Sequence, residues 1–120
     1  MIGELRSVVL DCPDPRALAR FYQQLLGGEL STDEEPEDND WVVLTQPGGN
    51  RLAFQLAPGY RPPVFPDPAG SQQFHLDVLV TEVEEAERQV LAIGGTRIGE
   101  GVQFRVYTDP VGHPFCLVWF

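Results

Sequence analysis

His75 and Asp77 stand two residues apart in the run Gln72-Gln73-Phe74-His75-Leu76-Asp77-Val78-Leu79-Val80. At that spacing an imidazole and a carboxylate share one face of a β-strand, where they can relay a proton, hold a cation or ligate a metal. The strand Leu5 to Cys12 has a similar layout, with Ser7, Val9 and Asp11 on one face and Val8, Leu10 and Cys12 on the other. Gln55 and Cys116, in later strands, add an amide and a thiol. Desolvation or mutual repulsion would raise a carboxylate pKa and open acid–base work to His75 and Asp77. The alternative is structural: each Asp pairs with an arginine, Arg6, Arg51 and Arg105 being the candidates, and His75 is packed into a core.

These residues need a sheet to hold them. In the His75 strand the other set, Phe74, Leu76, Val78 and Val80, is apolar and should lie under a helix. Thr81 to Gly94 supplies that helix, opened by the capping box Thr81-x-x-Glu84 and carrying Val83, Ala86, Val90 and Ile93 as its buried stripe. An earlier helix starts with Asp14 as N-cap and Pro15 at its first position, buries Leu18, Phe21, Tyr22, Leu25 and Leu26, and ends at Gly27-Gly28. Short strands are expected over Glu29 to Thr32 and Arg97 to Glu100. A hairpin is expected from Trp41 to Thr45 and Arg51 to Leu56, turning at Pro47-Gly48-Gly49-Asn50. Val102 to Thr108 and Phe115 to Phe120 make another, around Asp109-Pro110-Val111-Gly112-His113-Pro114.

The 120 residues suffice for one domain with a real core. Eighteen acids against 8 bases give a net charge of −10, which repels phosphate backbones and argues against a nucleic-acid partner. Every base is Arg, so Schiff-base and P-loop lysine chemistry are excluded. Six of the 18 acids crowd into residues 33–40, which reads as a solvated loop. No apolar run reaches membrane-spanning length and no signal-peptide pattern opens the chain, so the expectation is a cytoplasmic protein with no membrane partner and with Cys12 and Cys116 as buried free thiols.

The elements repeat: strand, helix, three strands, a Pro-rich segment, then strand, helix and three strands. Ser7 aligns with His75, Asp11 with Asp77, Leu18 with Ala86, Tyr22 with Val90 and Leu25 with Ile93. Val43, Thr45, Pro47, Gly49 and Leu52 align with Val106, Thr108, Pro110, Gly112 and Phe115. The fold class is therefore α+β: two tandem βαβββ modules forming a curved mixed sheet around a cleft. They make one domain over 1–120, with module one at about 1–58, the Pro-rich linker at 59–70, held down by its aromatics, and module two at about 71–120. Asp11 and Asp77 are expected as pseudo-symmetric partners pointing into that cleft.

With this duplication in place, Val8-Val9-Leu10-Asp11-Cys12-Pro13-Asp14-Pro15, Phe74-His75-Leu76-Asp77-Val78, Arg51-Leu52-Ala53-Phe54-Gln55 and Asp109-Pro110-Val111-Gly112-His113-Pro114-Phe115-Cys116-Leu117 resemble the vicinal oxygen chelate superfamily of glyoxalases, extradiol dioxygenases and bleomycin-resistance proteins, and within it the small glyoxalase-like proteins. The resemblance implies a divalent metal (Zn, Ni or Fe) held by first and last strands of each module, which maps to Ser7, Gln55, His75 and Cys116. Only His75 matches an enzyme-type ligand; Cys116 stands where a Glu is usual, and a hydroxyl and an amide are poor donors. The resemblance also implies a homodimer. Three readings follow. The first is a small-molecule binding protein taking a possibly cationic ligand through Asp11, Gln55, His75, Asp77 and Cys116, without a tightly held metal. The second is a metal-dependent lyase or dioxygenase-type enzyme using His75, and the third a non-catalytic interaction module.

Overall fold

The computed structural model describes residues 1–31, 40–70 and 74–120. The expected acidic loop lies outside them except for Asp40, as do Thr32 and the Gln72-Gln73 start of the His75 strand. The chain divides into two compact units, Met1–Tyr60 and Arg61–Phe120.

In the first unit, β1 (Val8–Cys12) leads into α1 (Pro15–Leu26), followed by β2 (Glu29–Ser31), β3 (Trp41–Thr45) and β4 (Arg51–Leu56). The Asp14 carboxylate accepts the Ala17 N–H at 3.1 Å, and Pro15 occupies the first helical turn, as expected. Pro15, Leu18, Ala19, Phe21 and Tyr22 are buried, and Tyr22 stacks on Phe54 of β4 at 5.6 Å. That contact fixes which face of the sheet the helix covers. Phe54, Leu52, Val42 and Leu44 lie on the helix side and are almost fully buried.

The second unit repeats the plan with β5 (Leu76–Leu79), α2 (Val83–Ala92), β6 (Thr96–Gly101), β7 (Phe104–Thr108) and β8 (Pro114–Val118). Both units form a four-stranded mixed sheet of the same order, β1-β4-β3-β2 and β5-β8-β7-β6, the first-named pair of each being parallel. Even the hairpin turns agree: Gly49 N–H donates to Gln46 O and Gly112 N–H to Asp109 O, with both glycines at positive φ (93° and 97°). The Asp109 carboxylate, almost fully buried, also accepts the Val111 and His113 N–H groups and so stiffens the second turn.

The helix side of the second sheet is more polar than that of the first. Tyr107 and Phe115 stack at 5.5 Å, and Leu117 is fully buried. Above them Glu87 of α2 accepts hydrogen bonds from Tyr107 Oη at 2.9 Å and from Arg97 and Arg105, each at 3.1 Å. Arg105 also pairs with Glu84, and Arg97 with Glu100.

Several expectations need correction. The capping box does not form: α2 starts after Glu82 with no side-chain cap, because Glu84 is drawn across the sheet to Arg105. For the same reason Arg105 is not a partner of Asp77. Phe74 is 93% exposed and precedes the strand rather than lying under the helix, although Leu76 and Val78 are half-buried as expected. The Asp11–Asp77 equivalence also fails. Asp11 sits opposite Gln55, whereas Asp77 sits opposite Cys116. Ala53 faces Val43 as Cys116 faces Val106, so the residue in the first sheet corresponding to Asp77 is Val9, opposite Ala53. Asp11 therefore matches Leu79.

Candidate functional site

The side of the second sheet away from α2 carries the candidate groups. Parallel pairing of β5 and β8 sets Asp77 against Cys116, and β7 continues that row with Val106. Leu79 and Val118 are likewise paired, and Phe104 lies next to Val118. His75 enters just before β5, two residues from Asp77 and on the same side, with Nε2 3.3 Å from Asp77 Oδ1. Alternation along the strand thus brings an imidazole, a carboxylate and a thiol to one spot, and their ligand atoms all lie within 4.8 Å of one another.

These groups wall one part of a cavity of about 610 Å³, within the 300–1,000 Å³ range usual for small-molecule sites. The rest of its lining is largely apolar, including Phe65, Phe104, Val106, Val118 and Phe120, with Glu100 and Gln103 as polar members. The Phe65 ring stands 5.4 Å from the His75 ring, so an aromatic of the Pro-rich stretch packs beside the imidazole. Pro62 of that stretch packs against the second turn, since a side chain at Gly112 would come within 2.6 Å of it.

The electrostatics of the wall follow from burial. His75 and Asp77 side chains are 37% and 60% exposed, while Cys116 is 5% exposed. Burial, with the Asp77 carboxylate adding to it, pushes the Cys116 thiol above its ordinary pKa. Cys116 is thus a neutral thiol at neutral pH rather than a ready nucleophile. Imidazole, carboxylate and thiol are each a donor type that Zn²⁺ accepts, so the residues present fit a borderline-soft divalent metal. His75, Asp77 and Cys116, all from one module, would hold it.

Of the residues expected at a site, His75, Asp77 and Cys116 are brought together. Asp11 and Gln55 are neighbours on the first sheet, with Trp41 next in the row. Ser7 precedes β1 and is half-buried. None of these first-unit residues is among those lining the 610 Å³ cavity. Both cysteines are free and buried, as expected, and Cys12 Sγ donates to Gln55 O at 3.6 Å. The sequence analysis does not single out Phe104 or Glu100, which also line the cavity. Phe104 was accessible in principle: it alternates with Val106, which the turn alignment places beside Cys116.

Two βαβββ units of identical strand order, with an imidazole at the mouth of one sheet, define the fold of the vicinal oxygen chelate superfamily. The chain belongs to the glyoxalase-like domain family, whose model matches residues 7–118. Solved structures agree. A glyoxalase/bleomycin resistance protein/dioxygenase family enzyme from Burkholderia phytofirmans PsJN superposes with a TM-score of 0.72 at 22% identity, covering 98% of each chain. The fosfomycin resistance protein FosX of Listeria monocytogenes gives 0.72 at 16% identity, over 100% of this chain and 95% of that one. Hypothetical protein SA1046 of S. aureus gives 0.71 at 19%, over 100% and 95%. Identities this low establish fold alone. No curated protein matches the chain. Among the described residues no helix is long and apolar enough to cross a membrane.

Proposed function

We propose that this protein binds a small organic cation with an apolar body in the 610 Å³ cavity, without a tightly held metal. The carrying observation is the charge of the lining: it includes the carboxylates of Asp77 and Glu100 but neither Arg nor Lys. Glu100 is already shared with Arg97 at 2.6 Å, so Asp77, 60% exposed beside the His75 imidazole, is the carboxylate that meets a ligand. Phe65, Phe104 and Phe120 line the cavity, where an ammonium group over an aromatic ring gains about 0.5–1 kcal/mol exposed and about 2 kcal/mol when dry. A phosphonate or other small anion would meet the opposite field, reinforced by the overall charge of −10.

Thermal-shift titration of chelator-treated protein tests this, using aryl- and alkylamines beside neutral and anionic compounds of matched shape. Only the amines should raise the melting temperature, and Asp77→Asn should weaken them about fivefold, the loss of roughly 1 kcal/mol expected for a half-exposed charge contact. Equal shifts from the anions, or none from any charge class, would refute it. We place the working protein in the cytoplasm, where both free thiols stay reduced, as one glyoxalase-like domain over 1–120 assembled as a homodimer. Exposed apolar side chains such as Val9, Leu79 and Phe104 favour the dimer, and light scattering checks it.

A further inference from the structure

We propose that the ligand of this cavity is an elongated amine carrying a flat aromatic ring, with its nitrogen at Asp77 and its ring laid on the bare backbone of Gly99. The strand pairing puts those two ends on one row. Gly99 stands against Val106, Val106 against Cys116 and Cys116 against Asp77, and all four line the cavity. Three strand spacings of about 4.8 Å set the ends about 14 Å apart. A hydrogen bond of about 2.8 Å from ammonium to carboxylate leaves about 11 Å for the body of the molecule. Between the ends the row presents a thiol and a valine side chain, so the spacer is apolar. This deepens the organic-cation reading and rests on it.

The sheet's own packing shows what the far end accepts. β6 is an edge strand, and Gly99 and Gly101 lie two residues apart on its cavity face. Phe104, the cross-strand partner of Gly101, lays its ring across the space that a Cβ at Gly101 would take. A ring over an edge glycine covers backbone that would otherwise meet water. Gly99 has no such cover: a Cβ there would meet nothing nearer than Val106, at 3.9 Å. Two residues of strand rise separate the glycines by about 6.6 Å, inside the range of about 4.5–7 Å over which ring centroids attract. A ligand ring on Gly99 therefore rests on the peptide below it and touches Phe104 beside it. The bulge between Arg97 and Gly99 adds a side wall, since Ile98 is the extra residue and also lines the cavity. Glycine inside a strand is what such a close approach to the backbone requires.

Calorimetric titration of full-length, chelator-treated protein with benzylamine, hexylamine, phenylhexylamine and cyclohexylhexylamine tests the inference. Phenylhexylamine should bind about tenfold tighter than benzylamine, which cannot reach Gly99 from Asp77, and about threefold tighter than cyclohexylhexylamine, which is as apolar but not flat. Gly99→Leu fills the ring seat and should cost phenylhexylamine about tenfold while leaving hexylamine within about twofold. Gly99→Ala adds a methyl that meets only ordinary contacts, so it provides a second folded variant, and it should cost phenylhexylamine about threefold. Phenylhexylamine matched by benzylamine or by cyclohexylhexylamine would overturn the ring seat and leave the amine preference standing. So would phenylhexylamine bound as tightly by both Gly99 variants as by the parent, or hexylamine weakened as much as phenylhexylamine. No response to any amine would remove the organic-cation reading and the ring seat together.

Discussion

Glu87 is the side chain whose removal should cost this fold the most for its size. Its carboxylate, 16% exposed, takes the Tyr107 hydroxyl at 2.9 Å and one guanidinium nitrogen each from Arg97 and Arg105 at 3.1 Å. In Glu87→Ala each arginine keeps a second partner, Glu100 for Arg97 and Glu84 for Arg105. Tyr107, fully buried as a residue, loses the acceptor of its hydroxyl proton. A buried donor left without an acceptor costs about 1–3 kcal/mol, and weakening two partly covered ion pairs adds about 1 kcal/mol. The expected loss is therefore about 2–4 kcal/mol, or roughly 8–15 °C in melting temperature at this chain length. Urea denaturation of Glu87→Ala, Tyr107→Phe and the double variant measures it. Tyr107→Phe should cost only about 1 kcal/mol, because Glu87 keeps its arginines, and the double variant should recover about 1–2 kcal/mol of the summed losses. The exposed Glu85–Arg88 pair is the control: Arg88→Ala should fall within about 0.5 kcal/mol of the parent. The same assay carries a pH signature. Burial first, then the bond to Glu87, pushes the Tyr107 phenol up to about 12 from 10.0. A raised folded pKa contributes stability that is complete below pH 10.0 and drains away as pH climbs toward 12. Glu87→Ala within 0.5 kcal/mol of the parent, or no coupling to Tyr107, would refute the reasoning.

Two further outcomes follow from the geometry. Gly28 sits at φ 101°, and a Cβ there would lie 2.2 Å from the Thr45 carbonyl oxygen, so Gly28→Ala should cost about 2 kcal/mol or more, while Gly48→Ala, with nothing within 4 Å, should be nearly neutral; paired urea melts decide it. The Cys116 thiol should alkylate in Cys12→Ser protein with a midpoint above the ordinary 9.0, and Asp77→Asn should bring that midpoint part of the way down, burial being the larger cause. Its stability contribution is present below pH 9.0 and lost as pH rises through the folded value, and a midpoint at or below 9.0 would contradict the burial assigned to this thiol.

What could be read from sequence divides by the distance over which each signal acts. Asp14, Pro15 and the Leu18-Phe21-Tyr22 spacing define α1 within a dozen residues, and the structure returns that helix with its cap intact. Thr81-x-x-Glu84 has the same local form yet makes no cap. The reason is a competitor 21 residues on: Arg105 offers Glu84 a charge-assisted bond, against a neutral cap worth about 1 kcal/mol. No local pattern contains Arg105.

The site shows the same division more sharply. Period-two alternation was enough to put His75 and Asp77 on one face, and the Pro-x-Gly turn alignment was enough to nominate Cys116. Whether the thiol reaches the carboxylate depends on the β5–β8 register, and there the aligned acids misled. Matching Asp11 to Asp77 shifts β1 by two residues relative to β5, which keeps the face but moves the acid one row along the sheet. In the true register the row holding Asp77 and Cys116 corresponds to Val9 and Ala53, two residues with no donor at all. The duplication therefore keeps the fold in both halves while the described cavity is lined from one, so any ion or cation that binds that cavity should answer to substitutions in the second module and be indifferent to Asp11→Asn.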